Sequence, residues 1–267
     1  MKKFLTKLQL YYRLSVYMLK SALLSAMAYR SAFIMQIVSM IINDVFFIIL
    51  WGLFFSQFPS VRGWDFQDNM VMLAAANISF GAIFFICGNW HFSKSISQGE
   101  LDYYLTFPKS VLWQLLLSKT DISALGDIIF GIVVYALWGD LSLLGITKFM
   151  IVNLLSFGIV LNFLIITQSL AFYLGHFEEA AQQLLYLVFG FSLYPQNQFY
   201  GGLKVIMMTI VPAFFIISLP MKFLQTNDWS ILAILTAFWL FTALLAKLVF
   251  SHGLKRYESG NLINVRL

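Results

Sequence analysis

The chain has 267 residues, of which 60% are hydrophobic and only 11% are charged. Soluble domains average about 25% charged residues, so a soluble fold of this length could not hide so much apolar surface. We therefore predict an all-α integral membrane protein whose apolar faces contact lipid. The net charge of +5 comes from basic residues scattered in short polar gaps, which argues against a nucleic-acid partner.

The N-terminal segment 1–30 is predicted to be an interfacial helix. Its apolar seam recurs at helical spacing and consists of Leu5, Leu8, Tyr12, Val16, Leu19 and Leu23. Basic residues flank this seam, which suits a helix lying among the headgroups of an anionic leaflet. The alternative is a basic anchor that only fixes orientation. The segment lacks the compact apolar core of a secretory signal peptide.

Long apolar runs predict six transmembrane helices, since a span needs to cross a core of roughly 30 Å. Their predicted bounds are 32–55, 68–90, 115–138, 149–174, 181–194 and 229–250, the fifth being short. A further run, 203–220, is barely long enough to span and has Pro212 at its middle, where proline bends a helix. We predict that 195–222 is instead a re-entrant pair of short helices on the outer side.

Polar residues inside the first predicted span form a pattern of their own. Gln36, Ser39 and Asn43 follow the spacing i, i+3, i+7, and Asp44 is adjacent. Polar side chains avoid acyl chains, so we predict that this face points into the helix bundle. Asp44 is either a functional carboxyl or a group that makes a helix–helix hydrogen bond or is neutralised by burial.

The basic residues predict the orientation of the chain. With six crossings and a cytoplasmic N-terminus, only Arg62, Lys148, Lys204 and Lys222 of the 17 Lys and Arg residues lie outside. This is a strong positive-inside bias. A seventh crossing at 203–220 would move the basic C-terminal tail outside, which favours the re-entrant interpretation. Both termini are then cytoplasmic.

Sequence signatures of catalysis are missing. The chain has no G-x-x-x-x-G-K-[ST] loop, so it binds no nucleotide through a P-loop of its own. A single cysteine, Cys87, rules out an intramolecular disulfide and a multi-cysteine metal site. The histidines His91, His176 and His252 fall at predicted inner ends of spans, but nothing in their spacing requires a metal. We predict a protein that is not an enzyme and binds no metal or cofactor itself.

One polar island, residues 94–110, interrupts the apolar sequence. Within it, Ile-Ser-Gln-Gly-Glu-Leu-Asp-Tyr-Tyr-Leu-Thr-Phe-Pro (96–108) resembles the pattern Ile-x-x-Gly-x-Leu-Asp-x-x-Leu-x-x-Pro. That pattern follows the second span in membrane subunits of type-2 ATP-binding-cassette (ABC) exporters, in a subgroup once filed as a domain of unknown function. The tail Gly-Leu-Lys-Arg-Tyr-Glu-Ser-Gly (253–260) resembles the closing motif of the same subgroup. The resemblance covers essentially the whole chain.

The resemblance implies a six-span permease, a single transmembrane domain (1–267) of the bacterial plasma membrane. Such a permease dimerises with a second copy or a related permease. It binds a pair of separate ATP-binding subunits on the cytosolic side, and those subunits would hold ATP and Mg. The outer re-entrant helices are also expected of this family.

The island would then couple the permease to its ATPase. We predict one short helix with an apolar face and an end at Pro108, in which Gly99 permits either close approach of a neighbouring segment or a sharp turn before Glu100. The apolar face would contain Ile96, Leu101, Tyr104 and Leu105. Glu100 and Asp102 would pair with basic groups of the partner, and Glu178 and Glu179 in the gap at 175–180 would form a smaller contact. The alternative is a plain solvated loop.

Cargo would pass between the two permeases, along faces that include Gln36, Ser39, Asn43 and Asp44 and the aromatic residues of the second and fifth spans. A mostly apolar path suits an amphiphilic or hydrophobic substrate. One rival hypothesis is a secondary transporter powered by an ion gradient through Asp44 and Asp127. Another rival is an integral-membrane lipid enzyme that uses the inner-edge histidines.

Overall fold

The computed structural model describes residues 2–61, 63–194, 201–202, 205–206 and 211–258, and within them the only bridge between extended residues joins Val61 and Trp64. The helices are α1 (Lys2–Met27), α2 (Arg30–Gln57), α3 (Phe66–Ile86), α4 (Phe92–Ser97), α5 (Leu101–Leu105), α6 (Val111–Leu117), α7 (Ala124–Trp138), α8 (Leu143–Ser169), α9 (Ala171–Leu174), α10 (Glu178–Ser192), α11 (Leu219–Thr226, preceded by a π-helical turn at Phe214–Ser218) and α12 (Trp229–Leu254). The predicted all-α class is confirmed.

Four of these elements are long and apolar enough to cross a membrane: α2, α3, α8 together with α9, and α12. Helices α7 and α10 have 15 residues each, which at 1.5 Å per residue is about 22 Å. A core of roughly 30 Å is longer than that. The structure therefore supports a multi-pass protein, while the count of six crossings stays a prediction.

The third predicted span, 115–138, is wrong as a single helix. Helix α6 ends at Leu117 and α7 begins at Ala124. The break docks on the end of α3, where the Asp121 backbone N–H donates to the Phe84 carbonyl over 3.2 Å. The Asp121 carboxylate also accepts from the Ser123 backbone N–H and hydroxyl, so it satisfies donors just before α7.

Other predicted boundaries shift by several residues. Helix α3 ends at Ile86 rather than at 90, and α8 begins at Leu143 rather than at 149. Glu178 and Glu179, placed in a polar gap by the sequence, occupy the first turn of α10. Carboxylates are favourable there because the helix N-terminus carries partial positive charge.

The predicted outer segment 195–222 is described only in part, since 195–200, 203–204 and 207–210 lie outside the described residues. Helical structure from Phe214 continues past Pro220 to Thr226, beyond the apolar run 203–220, and the re-entrant interpretation stays a prediction. Pro220 lies in the first turn of α11, where its missing N–H is least costly. The Ser156 hydroxyl of α8 donates to the Ile216 carbonyl and ties this segment to the bundle.

The core of the bundle is built on α3, α7 and α8. In the most apolar stretch of α3, 72% of residues are buried, against 6% for α2. Small residues allow close approach: a Cβ atom at Gly131 of α7 would lie 2.9 Å from the Ala74 carbonyl of α3. A Cβ at Gly126 would lie 2.7 Å from the Ile37 carbonyl of α2. Such contacts hold membrane helices together by van der Waals packing.

The connections lie at two ends of the bundle. The island end carries the α1–α2 join, residues 94–110, the break at 118–123, the turn at 175–177 and the residues after α12. The cap end carries 58–65, 139–142 and 227–228. Among basic residues whose side chains are described, only Lys148 and Lys222 lie at the cap end, which agrees with the charge bias seen in the sequence.

Candidate functional site

The island forms two short helices, so the prediction of one helix is wrong. Helix α4 ends at Ser97 and α5 begins at Leu101. Between them Gly99 has φ 73°, a conformation that glycine adopts without steric cost. The Glu100 backbone N–H donates to the Ser95 carbonyl over 2.9 Å and closes the turn. The turn expected at Gly99 is thus confirmed, and it divides the segment.

This turn also divides the expected apolar face. Ile96 and Leu101 are 4% and 0% exposed, whereas Leu105 is 48% exposed. Phe92, at the start of α4, is fully buried and its ring meets that of Phe250 on α12. Burying such a side chain stabilises a fold by roughly 1.5–3 kcal/mol. The island is therefore anchored at Phe92, Ile96 and Leu101, while Leu105 faces outward.

Hydrogen bonds fix α4 to α8 and to the turn before α10. The Ser93 backbone N–H donates to Gln168 Oε1 of α8 over 3.0 Å, and both residues are buried. The Ser97 hydroxyl lies 3.0 Å from the Ser93 carbonyl and 3.3 Å from the Gly175 carbonyl. The bonds to Gln168 and Gly175 join positions 75 and 78 residues apart and tie the island to α8 and to this turn.

The N-terminal helix braces the other end of the island. The Ser110 backbone N–H donates to the Tyr11 hydroxyl of α1 over 3.1 Å. The Tyr11 ring also meets the Trp113 ring of α6 edge to face, with centroids 5.8 Å apart. Gln114 Nε2 donates to the Lys109 carbonyl and, over 3.4 Å, to the Tyr104 carbonyl, and the second bond closes the loop that contains Pro108. Helix α1 thus contacts the island directly.

The C-terminal motif reaches the island through Tyr257. Its hydroxyl is buried beside the Asp102 carboxylate and the backbone N–H groups of Leu101 and Asp102. The hydroxyl lies close to these groups without the alignment of a regular hydrogen bond to any described residue. Burial and the nearby Asp102 carboxylate raise the pKa of Tyr257. The tail therefore packs against the start of α5.

An exposed aromatic surface completes the site. Tyr103 and Phe107 are 66% and 42% exposed, and their rings lie 5.1 Å apart. Glu100 is exposed and accepts from the Ser95 hydroxyl over 2.9 Å. Asp102 and Pro108 are exposed as well. We call Tyr103, Leu105 and Phe107 the aromatic tip; an apolar tip on a braced segment, next to acidic side chains, is suited to a protein partner.

Comparison with known families identifies the chain. The model of the ABC-2 family transporter proteins matches residues 40–260. The chain belongs to this family. An ABC-2 permease is the membrane component of an ABC transporter, works with ATP-binding subunits and generally lacks an ATPase site of its own. None of the curated proteins and none of the solved structures compared with the sequence matches it.

The second predicted contact of the permease lies beside the first. Glu178 is half-buried and Glu179 is exposed at the start of α10. The turn that precedes them contacts α4 through the Gly175 carbonyl. The structure thus brings the neighbourhoods of both predicted contacts to one end of the permease.

The residues predicted for the substrate path separate into two sets. Gln36, Ser39 and Asn43 are exposed on α2, so the expectation that they point into this chain's own bundle is wrong. The spacing is helical as expected, but the face turns outward. Asp44, one residue further round the helix, is buried.

Asp44 joins α2 to α7. Its side chain lies close to that of Asp127, and two carboxyls can hydrogen-bond to each other only when one carries a proton. Asp44 Oδ2 and Asp127 Oδ1 are buried and have no hydrogen-bond partner in the described residues. The structure therefore places Asp44 at the contact between α2 and α7, and the choice between a functional carboxyl and a structural one stays a prediction.

The histidines of the permease occupy separate surroundings. The His91 ring lies against Trp90, with centroids 3.4 Å apart. Burial lowers the pKa of His91, and the charges of Lys119 and Lys94 lower it further. His252 Nδ1 lies 2.9 Å from the Leu248 carbonyl of its own helix. Across the described residues, no group of three His, Cys, Asp or Glu side chains is suited to hold a metal ion.

Sequence reasoning missed several residues of the site. Tyr103 and Phe107 were visible as aromatic residues in a polar segment, a signal that was available. Tyr11, Gln168 and Tyr257 reach the island from positions far away in the chain, and no local pattern indicates such contacts.

Proposed function

We propose that this permease is a subunit of an exporter that moves an amphiphilic or hydrophobic substrate outward across the bacterial plasma membrane. ATP hydrolysis on a separate pair of subunits would drive it, with ATP and Mg held by those subunits. The observation that carries this proposal is the island, which is braced from several distant elements yet presents an exposed aromatic tip.

The contacts from distant elements would let the island transmit movement to the rest of the permease. A force applied to α4 and α5 reaches α8 through Gln168, α1 through Tyr11 and the C-terminal tail through Tyr257. Packed elements of this kind move as units. Aromatic side chains in a partner groove supply most of the energy of many interfaces, and the aromatic tip would serve that role. Glu100 and Asp102 would face basic groups of the ATP-binding subunit.

The proposal includes six crossings with the island end in the cytoplasm. Helices α7 and α10 would cross as shorter elements beside the four long ones. The positive-inside bias supports this orientation. In this orientation both termini would be cytoplasmic. The helical segment before α12 would be the returning half of an outer re-entrant pair.

A second permease would cover α2. This helix is long, apolar and hardly buried within its own chain, and it presents Gln36, Ser39 and Asn43 outward. Polar groups on a span need protein or water rather than acyl chains. A second copy or a related permease on this face would satisfy them and leave the substrate path between the two chains.

The coupling role is tested by reversing charge on the island. We expect E100K/D102K to lower the ATPase activity of the copurified complex roughly tenfold, a loss that corresponds to about 1.4 kcal/mol. Both side chains are exposed, so the permease should stay folded, and E100K alone, which leaves the contact between Asp102 and Tyr257 in place, should lower hydrolysis in the same direction. D140K/D228K at the cap end makes the same change of net charge with two exposed residues and should leave hydrolysis by the folded complex unchanged. Full activity of the double variant would contradict the coupling role.

Mild detergent extraction from native membranes separates the proposal from its rivals. A soluble ATPase that copurifies in stoichiometric amount supports the exporter. Transport by the isolated chain that D44N or D127N abolishes supports a secondary transporter. Turnover of lipid by the isolated chain that changing His91 or His176 abolishes supports an enzyme.

A further inference from the structure

A cleft of about 640 Å³ opens between α6, α8 and α12 at the island end. Three lysines, Lys109, Lys247 and Lys255, line it, and no Asp or Glu is among its lining residues in the described part of the chain. Its remaining walls are mostly apolar. The cleft shares its Lys109 edge with the island but contains none of the residues assigned to coupling.

One continuous stripe of α12 forms a wall of this cleft. Lys247, Ser251 and Lys255 recur every four residues, a spacing that puts them on one face of a helix. Ala243 and Ala246 lie on the same side, and their small side chains leave room beside the lysines. Both lysines of this stripe are exposed, whereas Phe250 between them is 6% exposed. Positive charge therefore borders a packed apolar floor.

The opposite wall is held in a fixed position. Gln114 Nε2 donates to the Lys109 carbonyl over 3.2 Å, and the next residue, Ser110, is bonded to Tyr11 of α1. Val111 and Leu112 follow as apolar lining, and Ile165 of α8 closes the back. The cleft thus has lysines on two sides and an apolar interior that continues along α8 and α12.

We propose that this cleft binds an anionic phospholipid, with its phosphate among Lys109, Lys247 and Lys255 and an acyl chain along Ala243 and Ile165. The cleft complements both parts of such a ligand, because its lysines match the anionic headgroup and its apolar groove matches an acyl chain. Basic pockets between transmembrane helices near the cytoplasmic surface bind lipid headgroups in this way. An acidic peptide of a protein partner would match the lysines but not the apolar groove.

The lipid is assigned to the inner leaflet on the basis of the proposed orientation, and nothing else about the cleft rests on the proposed function. Lipid binding needs no ATP and no ATP-binding subunit. It can therefore fail while the coupling role of the island holds, and the coupling role can fail while the lipid site holds.

The experiment measures lipid retained by the purified permease in native mass spectrometry, after exchange into phosphatidylcholine with or without phosphatidylglycerol. We expect the unaltered protein to retain phosphatidylglycerol in preference to phosphatidylcholine. K109Q/K247Q/K255Q should lower that retention at least roughly tenfold. The control K148Q/K222Q removes lysines at the cap end and should retain the lipid fully.

A second variant, A243F, fills the apolar groove and keeps all three lysines, so it tests the site even if the triple variant folds poorly. We expect it to lose phosphatidylglycerol as well. The proposal would be overturned if the triple variant and A243F both retained as much phosphatidylglycerol as the unaltered protein. Displacement by inorganic phosphate with A243F unaffected would show an anion site without a lipid. Loss of a copurifying protein with phosphatidylglycerol still bound would show a protein-docking surface.

Discussion

The two ends of the permease satisfy their polar groups in different ways. At the cap end, most hydrogen bonds are local: Asp65 caps α3 with Asp68, Asp140 accepts from Ser142, and Asp228 accepts from Ser230. Among the described residues of this end, two contacts, Gln67 to Trp138 and Lys148 to Asn227, reach further. The island end has local bonds as well, such as Ser123 to Asp121, but there Ser93, Ser97 and Ser110 also bond to groups 75, 78 and 99 positions away.

This difference shows which end can transmit movement. A local cap stabilises its own helix and does not couple the position of that helix to its neighbours. A bond between distant elements couples their positions, since neither can shift without breaking it. The island end is therefore built to carry displacement into the bundle, and the cap end is built to hold helix termini. Three predictions test this contrast.

The largest effect should come from the turns. Gly99 at the island end and Gly63 at the cap end have φ values of 73° and 80°, so alanine at either position costs about 1–2 kcal/mol of backbone strain. G99A should lower ATPase activity of the complex roughly tenfold, about 1.4 kcal/mol, because it shifts α5 relative to α4. Both variants should lower the thermal midpoint by a similar amount, but G63A should leave ATPase activity unchanged.

The measurement is ATP hydrolysis by the reconstituted complex alongside thermal unfolding of each variant. Equal loss of hydrolysis in both glycine variants would show that strain acts through general stability, and the contrast between the ends would then disappear.

A smaller effect should follow loss of a buried amide. Q168L removes the acceptor of the Ser93 N–H and leaves that buried donor unpaired, a cost of about 1–3 kcal/mol that is partly offset by removal of Gln168 Nε2, which is buried without a partner in the described residues. N77L removes an amide that donates only to the Leu73 carbonyl of its own helix, and it leaves no donor unpaired. We expect Q168L to lower both the thermal midpoint and the coupled ATPase activity. If N77L lowers coupling as much as Q168L does, the brace through Ser93 is not the cause.

The smallest effect concerns pH. Burial, with the charges of Lys119 and Lys94, lowers the pKa of His91 below its ordinary value of 6.5. The unfolded chain then binds a proton at a pH where the folded chain does not, so stability falls as pH drops below about 6.5. Thermal midpoints measured across this range should show the loss in the unaltered protein. This loss of stability at low pH should be smaller in K119Q and absent in H91Q. The same dependence of the thermal midpoint on pH in H91Q would assign the loss to another group.

Much of the fold follows from the sequence because long apolar runs have few structural options in lipid. The helices at 32–55, 68–90, 149–174 and 229–250 are all found, with ends moved by a few residues. The break between α6 and α7 was missed because it depends on Asp121 meeting Phe84 of another helix. Hydropathy along the chain does not contain that contact.

The site was predictable in its location but not in its shape. The Gly99 turn and the buried Ile96 and Leu101 follow from local pattern. The direction of the polar face on α2 does not, since helical spacing shows that Gln36, Ser39 and Asn43 share a side without showing what that side meets. The braces from Tyr11 and Tyr257 needed the tertiary structure.

The most direct test of the central claim is site-specific photo-crosslinking in native membranes, with the probe at Tyr103 and, as control, at Phe58. Tyr103 lies on the aromatic tip, and Phe58 is an exposed aromatic residue at the cap end, 57% exposed. We predict that Tyr103 crosslinks to a P-loop ATPase subunit, with a yield that changes when ATP is added, and that Phe58 does not. Crosslinking of that ATPase at Phe58 and not at Tyr103 would contradict the account.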